Sequence, residues 1–314
     1  NLYGRRDNMY KARIKILVKA LGIEHFRELV EQEWKFIKDG SNTIDESELK
    51  RVASFFTDPP YEIHTQNKIN DHLDNKSFKQ WLDRCTHSHK NKGYRSVTLS
   101  LKANHQAPGD ATSEQMRLVA DLADEYSFGE VRVSHEQNLI LADVQEDNLF
   151  DLWEKAKSKN LATPNIGLLT DIVCCPGGDF CSLANAKSIP IAESIQEVFE
   201  DMDYLHDIGE IDLNISGCMN ACGHHHVGHI GILGVDKDGS EWYQVTLGGN
   251  QGNFASIGKV IGPSFSAEEM PAVITKIIGA YTAQRHLDES FIDCVVRIGL
   301  EPFKVSVYGA KKVK

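Results

Sequence analysis

Five of the seven cysteines, Cys174, Cys175, Cys181, Cys218 and Cys222, fall within 49 residues, while Cys85 and Cys294 stand alone. Cys175 and Cys181 form a C-x5-C pair, and Cys218 and Cys222 form a C-x3-C pair about 36 residues later. Four thiolates are the usual protein complement of a cubane [4Fe–4S] cluster. Four thiolates also hold structural zinc, although zinc knuckles typically space their cysteines by two to four residues. Spacing alone therefore favours iron–sulfur and leaves zinc open. Gly177, Gly178, Gly217 and Gly223 flank the pairs. Residues without a Cβ let the backbone approach a cluster and aim N–H groups at its sulfurs. An odd number of cysteines in a chain of this length does not read as a secreted disulfide framework. It reads as a metal site in a reducing compartment, which places the protein in the cytoplasm.

The rest of the composition narrows the class. The 314 residues are 41% hydrophobic and 25% charged, enough for two domains or one large one. Net charge is −11, which argues against a general nucleic-acid binder, since that needs a basic face. No apolar run reaches the ~20 residues of a membrane span, so no membrane partner is expected. The start, Asn1 to Arg6, is polar and basic without an apolar stretch after it, so no signal peptide is expected. It also lacks an initiator Met, which suggests a beginning inside a longer protein.

The elements that must position the cysteines follow from periodicity. Residues 7–38 have a helical pattern broken at Gly22, with Leu17, Val18 and Leu21 before it and Phe26, Leu29, Val30 and Trp34 after it. Residues 39–92 are polar and irregular, a long connection with one or two short helices. Tyr94–Lys102 alternates as a strand. Thr112 or Ser113 caps a helix that Gly129 ends, two strands follow at 130–134 and 139–144, and residues 146–159 form a helix. Past the loop at 163–178, Pro190 opens a helix, and 211–215, 228–235 and 242–247 are strands. A helix near 266–285 and strands near 291–298 and 303–308 close the chain. There is no short-period repeat and no low-complexity tract. The expected class is α+β: an interdomain helix and irregular connection over 1–92, a ferredoxin-like half-domain over 93–162, and a mixed α/β cofactor-binding domain with a C-terminal extension over 163–314.

The residues around the cysteines carry a resemblance. The run Thr170 to Ala184, TDIVCCPGGDFCSLA, resembles the first cluster segment of the nitrite/sulfite reductase haemoprotein family. Ser216 to Gly223, SGCMNACG, resembles its second, of the form S/T-G-C-x-N-x-C-G. Gly231 to Gly234, Leu247 to Asn250, and Arg132 to Ile140 with its Gln137 match further segments, so the resemblance runs from about residue 1 to 300. It implies that Cys175, Cys181, Cys218 and Cys222 hold a [4Fe–4S] cluster and that Cys222 also bridges to the iron of sirohaem. It places Gln137, Asn220, Gly248, Gly249 and Asn250 against the macrocycle, where each has a plainer alternative as a turn or cap residue. The implied activity is six-electron reduction of sulfite to sulfide in sulfur assimilation, with nitrite to ammonia as the rival. A non-catalytic electron-transfer module is the alternative from another class.

Two features depart from the family. Met219 stands where many relatives have Pro, and His224, His225, His226 and His229 follow Cys222. That histidine group could be a second metal site or a proton source, but reads better as packing around the cofactors. Cys174 reads as a buried bystander. The resemblance covers the C-terminal half of a pseudo-symmetric protein roughly twice this size. The absent N-terminal half would supply most cations for the anionic substrate and the eight sirohaem carboxylates, which fits the net charge of −11. On this reading the chain is a fragment inactive alone, which as isolated would lack sirohaem and leave the cluster open to loss. The electron donor would be an NADPH-using flavoprotein or a ferredoxin.

Overall fold

The computed structural model describes residues 7–8, 11–62 and 68–309. They form two units, one ending at Tyr61 and the other beginning at Glu62. The first unit contains α1 (Ile14–Leu21), α2 (Ile23–Ile37) and α3 (Glu46–Ala53). Gly22, in the left-handed region at φ 79°, separates α1 from α2. Asp45 caps α3 by accepting from the Glu48 N–H at 2.8 Å. None of these three helices buries a residue, and Ile14, Val30, Trp34, Phe36 and Phe55 are exposed.

The second unit opens with α4 (Lys76–Cys85), capped by Asn75. Then come β1 (Thr86–Ser88), β2 (Tyr94–Leu99), α5 (Ser113–Tyr126), β3 (Arg132–Val133), β4 (Leu139–Gln145) and α6 (Leu149–Lys157). The four strands form an antiparallel sheet in the order β1-β2-β4-β3. Thr112 and Gln115 make a reciprocal capping box at the start of α5. Phe78, Trp81, Leu82 and Cys85 of α4 are buried in the same core as α5, α6 and the inner sheet face. α4 is one of the short helices expected within residues 39–92, and its residues belong to the same buried core as the half-domain sheet. Its helical stripe there, at i, i+3, i+4 and i+7, is masked by the polar residues between.

A second sheet holds the cysteine loops. It contains β5 (Val173–Cys174), β6 (Leu213–Ser216), β7 (Ile230–Lys237), β8 (Ser240–Leu247) and β9 (Lys259–Val260), in that order. β5, β6 and β7 are parallel, and β7, β8 and β9 antiparallel. Between β5 and β6 run α7 (Ile189–Val198) and α8 (Met202–Ile208), the crossover a parallel pair requires. The chain closes with α9 (Met270–Gln284), α10 (Phe291–Ile298) and α11 (Glu301–Tyr308).

The last two elements correct the expected strands. Phe291, Cys294 and Val295 fall at i, i+3 and i+4, Ser290 caps α10, and Pro302 sits in the first turn of α11. Short β-branched runs look like strands in sequence, but here burial on one helical face against α9 decides. The α10–Gly299–α11 hairpin also repeats α1–Gly22–α2. Both first helices have eight residues, and both glycines are left-handed at φ 79° and 70°. Each donates its N–H to the valine four residues back. Val18, Gly22, Glu24, Phe26 and Val30 match Val295, Gly299, Glu301, Phe303 and Val307 at a constant offset. In the later copy Phe303 and Val307 are core residues, whereas Val30 in the earlier one is exposed.

Candidate metal centre

The two cysteine pairs leave the same end of adjacent strands. β5 and β6 are parallel, with Cys174 opposite Ile215, so the chain runs off β5 into Cys175 and off β6 into Gly217-Cys218 side by side. The Cys175 N–H donates to Ile215 O at 3.1 Å, and the Gly217 N–H donates to Cys175 Sγ at 3.1 Å. Ser188 Oγ lies 3.6 Å from the same sulfur. The first loop turns on itself where Cys181 N–H meets Gly177 O at 2.9 Å. Asn185 and Ala186 both donate to Gly217 O, at 2.8 and 3.1 Å, and Gly178 donates to Ala186 O at 2.9 Å. Residues 175–188 and 216–223 are therefore one stitched pair of loops.

Two glycines are required there by close approach. A Cβ on Gly217 would stand 2.6 Å from Ala186 O and 2.8 Å from Gly177 Cα. One on Gly223 would stand 1.9 Å from Ile215 O, so the turn after Cys222 is pressed onto the end of β6. Ala221, between the two cysteines of the second pair, is itself left-handed at φ 57°.

Exposure separates the cysteines. Cys222 is exposed, Cys175 and Cys181 are half-buried, and Cys218 is 8% exposed. Cys85, Cys174 and Cys294 are buried, and burial pushes each of these three thiols upward, keeping them protonated. Cys174 points its thiol at the Cys175 carbonyl, 3.2 Å away. Several large apolar side chains are exposed nearby in sequence: Phe180, Leu183 and Met219 on the cysteine loops, and Phe254 and Ile257 on the loop after β8. Lys187 is the one cation in the two loops, and it faces Asp179 at 3.1 Å.

The other expected site residues divide. Asn220 is exposed between the second pair of cysteines. Gly248, Gly249 and Asn250 follow β8, and Gly249 is pressed against the backbone of 226–228, since a Cβ there would lie 2.4 Å from Gly228 O. Asn250 pairs with Ser256 through two backbone hydrogen bonds of 3.0 Å. These residues thus line the continuation of the Cys222 loop. Gln137 reaches the site from the first sheet: both ends of its carboxamide bond the backbone of Cys174 at 2.8 Å.

Of the four histidines, His225 and His229 are buried and His224 and His226 are exposed. His225 is buried with its Nδ1 unpartnered and its ring 3.9 Å from His226. Burial, with His226 beside it, pushes the His225 imidazole down to about 4. His229 Nδ1 accepts from the Asp212 N–H at 3.1 Å, and burial raises the Asp212 carboxyl. Among the described residues, no three His, Cys, Asp or Glu side chains converge as ligands of a single metal ion. A mononuclear zinc needs all four donors at about 2.3 Å from one point, whereas a cubane spreads its cysteines over four separate irons. The donor set, the N–H aimed at Cys175 sulfur and the glycine cradle fit a cluster. The exposed apolar side chains on the two cysteine loops, Phe180, Leu183 and Met219, suit contact with a flat macrocycle.

Sequence reasoning missed Ser188 and the 184–186 stitches, which carry no motif of their own. It also missed the fully buried Lys102, whose Nζ bonds Asp171 Oδ1 at 2.7 Å behind the first cysteine segment.

Comparison with known proteins gives this geometry a family. Residues 168–313, with 1–38, match the profile of the nitrite and sulphite reductase 4Fe-4S domain. Residues 87–159 match that of the nitrite/sulfite reductase ferredoxin-like half domain. The chain belongs to the nitrite/sulfite reductase family. Cofactors of this family are a [4Fe–4S] cluster and sirohaem. A relative is the assimilatory ferredoxin-dependent nitrite reductase of Haloferax mediterranei, 28% identical over 92% of this chain and 46% of that protein. Another is sulfite reductase [ferredoxin] 1 of Mycolicibacterium paratuberculosis, 26% identical over 96% of this chain and 50% of that protein. The solved structure of NirA from Mycobacterium tuberculosis shares the fold, with a TM-score of 0.63 at 24% identity, over 96% of this chain and 50% of that one. This reductase-family chain thus spans about half the length of the relatives it matches.

Proposed function

We propose that this chain is the cluster-bearing part of a sirohaem-dependent reductase that delivers six electrons to sulfite, yielding sulfide for sulfur assimilation. The observation that carries the reading is the pair of cysteine loops leaving adjacent parallel strands, stitched by the Gly217 N–H on Cys175 sulfur. Cys175, Cys181, Cys218 and Cys222 would hold the cluster, and the exposed Cys222 would be the thiolate shared with sirohaem. When bound, the two groups supply the electrons and the site where the anion is reduced. The protein's own work is positioning. Gly217 and Ser188 lower the charge on the Cys175 sulfur by hydrogen bonding. Phe180, Leu183, Met219 and Phe254 exclude water from the macrocycle edge. Asn220 and the 248–250 turn shape the same wall.

Nitrite reduction to ammonia is the second reading, and the nitrite reductases among the relatives favour it. Ferredoxin is the donor we propose, because the relatives' names carry it. Thiolates held on a cluster suit a reducing compartment, and we propose a cytoplasmic setting on that ground. No helix among the described residues is long and apolar enough to cross a membrane.

The active protein would include an upstream half. Three observations support this: the length relative to the family, the uncovered apolar faces of α1 and α2, and their match to a hairpin that elsewhere closes a core. With Lys187 paired, the cysteine loops supply no spare cation for an anionic substrate, so those cations would come from that half. Competition between sulfite and nitrite on the intact protein, with reduced ferredoxin, tests the reading. A kcat/KM for sulfite well above that for nitrite supports it, and the reverse assigns the second reading. Robust turnover by these 314 residues alone with a chemical reductant would refute the need for a second half.

A further inference from the structure

Gln137 sits at the tip of the β3–β4 turn in a left-handed conformation, φ 59°, which a non-glycine residue adopts only when held there. The turn is closed by Ser134 N–H on Asn138 O at 2.9 Å and Gln137 N–H on Ser134 O at 3.2 Å. From that tip the carboxamide spans to the other sheet. Its Oε1 accepts from the Cys174 N–H and its Nε2 donates to Cys174 O, both at 2.8 Å. A side-chain amide thus supplies one complete ladder rung to the free edge of β5, opposite the edge paired with β6.

The turn is fixed from behind. Lys102, fully buried, donates to Glu136 O and to Asp171 Oδ1, both at 2.7 Å. Asn138 Nδ2 donates to the same Asp171 oxygen at 3.0 Å and its Oδ1 accepts from the Leu101 N–H. Gly109 lies flat against Gln137: a Cβ there would meet Gln137 Cβ at 3.0 Å. Cys174 is therefore gripped on both sides, by Gln137 on one edge of β5 and by β6 on the other. Cys175 follows it directly.

We propose that Gln137 is a positioning residue for Cys175: it acts through the Cys174 backbone to set where the first cluster thiolate stands. The inference rests on the reading of Cys175 as a cluster ligand. It gives the half-domain a task at the cluster that needs no contact with the macrocycle. Without the clasp, β5 keeps only its two-residue pairing with β6, and the Cys175 sulfur loses its fixed distance from the Gly217 N–H.

The test uses the full chain and its Gln137→Leu and Gln137→Glu variants. In the cluster-free chain, amide hydrogen exchange at Cys174 should be roughly tenfold or more faster in Q137L, with β7 and β8 amides and the melting temperature little changed. Q137E keeps the acceptor and loses the donor, so it should fall between. After reconstitution with iron and sulfide, Q137L should lose its cluster to a chelator roughly tenfold faster than the parent and show a broadened spectrum on reduction. Parent-like exchange at Cys174 and parent-like cluster loss in both variants would overturn the proposal. If Q137L does not fold, Q137E carries both readouts. A parent chain that retains no iron and sulfide would refute the cluster reading instead, and exchange at Cys174 would still judge the clasp.

Discussion

Cys174 and Cys175 are neighbours in sequence, yet one is buried and the other faces the loop with an N–H on its sulfur. That contrast sets what each thiol can do, because reactivity follows exposure and thiolate character. In the cluster-free chain iodoacetamide should modify Cys222 first, then Cys175 and Cys181, and leave Cys85, Cys174 and Cys294 untouched. Mass mapping of the labelled peptides checks this, and cluster binding should protect Cys175, Cys181 and Cys222. His225 gives a pH prediction. Its imidazole titrates near 6.5 when unfolded and is pushed down to about 4 in the fold. The folded state therefore favours the neutral ring. Stability from this group is intact above about pH 6.5 and is lost progressively as pH falls toward 4. Melting of the cluster-free chain between pH 7 and 4.5 should show that loss, and His225→Gln should flatten it.

At the scale of elements, the cysteine loops are held by strand ends and by glycines rather than by a helix. Gly223→Ala would force a Cβ into the Ile215 carbonyl, 1.9 Å away, and should destabilise by about 2 kcal/mol or more. A denaturant melt reads the loss, and iron retention should fall with it. Phe291 is fully buried between Tyr281 and Phe303, at centroid distances of 5.3 and 6.0 Å. Its truncation to Ala should cost about 3–5 kcal/mol. Much of this layer was legible in sequence. The half-domain's strand and helices, the capping at Thr112 and the first turn at Pro190 all follow local rules, and local rules suffice where an element's own residues decide it. The α10–α11 hairpin was not legible as helix, because Val295, Val296, Val305 and Val307 carry a strand-like signal that only packing on α9 overrides. The four cysteines could be singled out from spacing and neighbours. The Gln137 clasp and the Lys102–Asp171 pair could not, since each joins residues 37 and 69 positions apart that only the tertiary fold brings together.

At the scale of the molecule, the first sheet reaches the second through Gln137, and on the reading proposed here the cysteine loops form one wall of a cofactor site with no unpaired Lys or Arg of their own. In the first unit, Ile14, Val30, Trp34 and Phe36 are exposed. A soluble surface rarely leaves so many large apolar groups uncovered unless a partner meets them. Limited proteolysis of the chain alone should therefore cut first within residues 1–61, and if the proposed upstream half covers these helices, its addition should protect that region.

The claim on which the rest depends is that Cys175, Cys181, Cys218 and Cys222 bind an iron–sulfur cluster. Anaerobic reconstitution followed by iron, acid-labile sulfide and zinc analysis tests it most directly, with a variant in which Cys218 and Cys222 are replaced by Ser as control. The account predicts about four irons and four sulfides per chain, a [4Fe–4S] Mössbauer signature and loss of both in the variant. One tightly held zinc per chain, with neither iron nor sulfide retained, would contradict it.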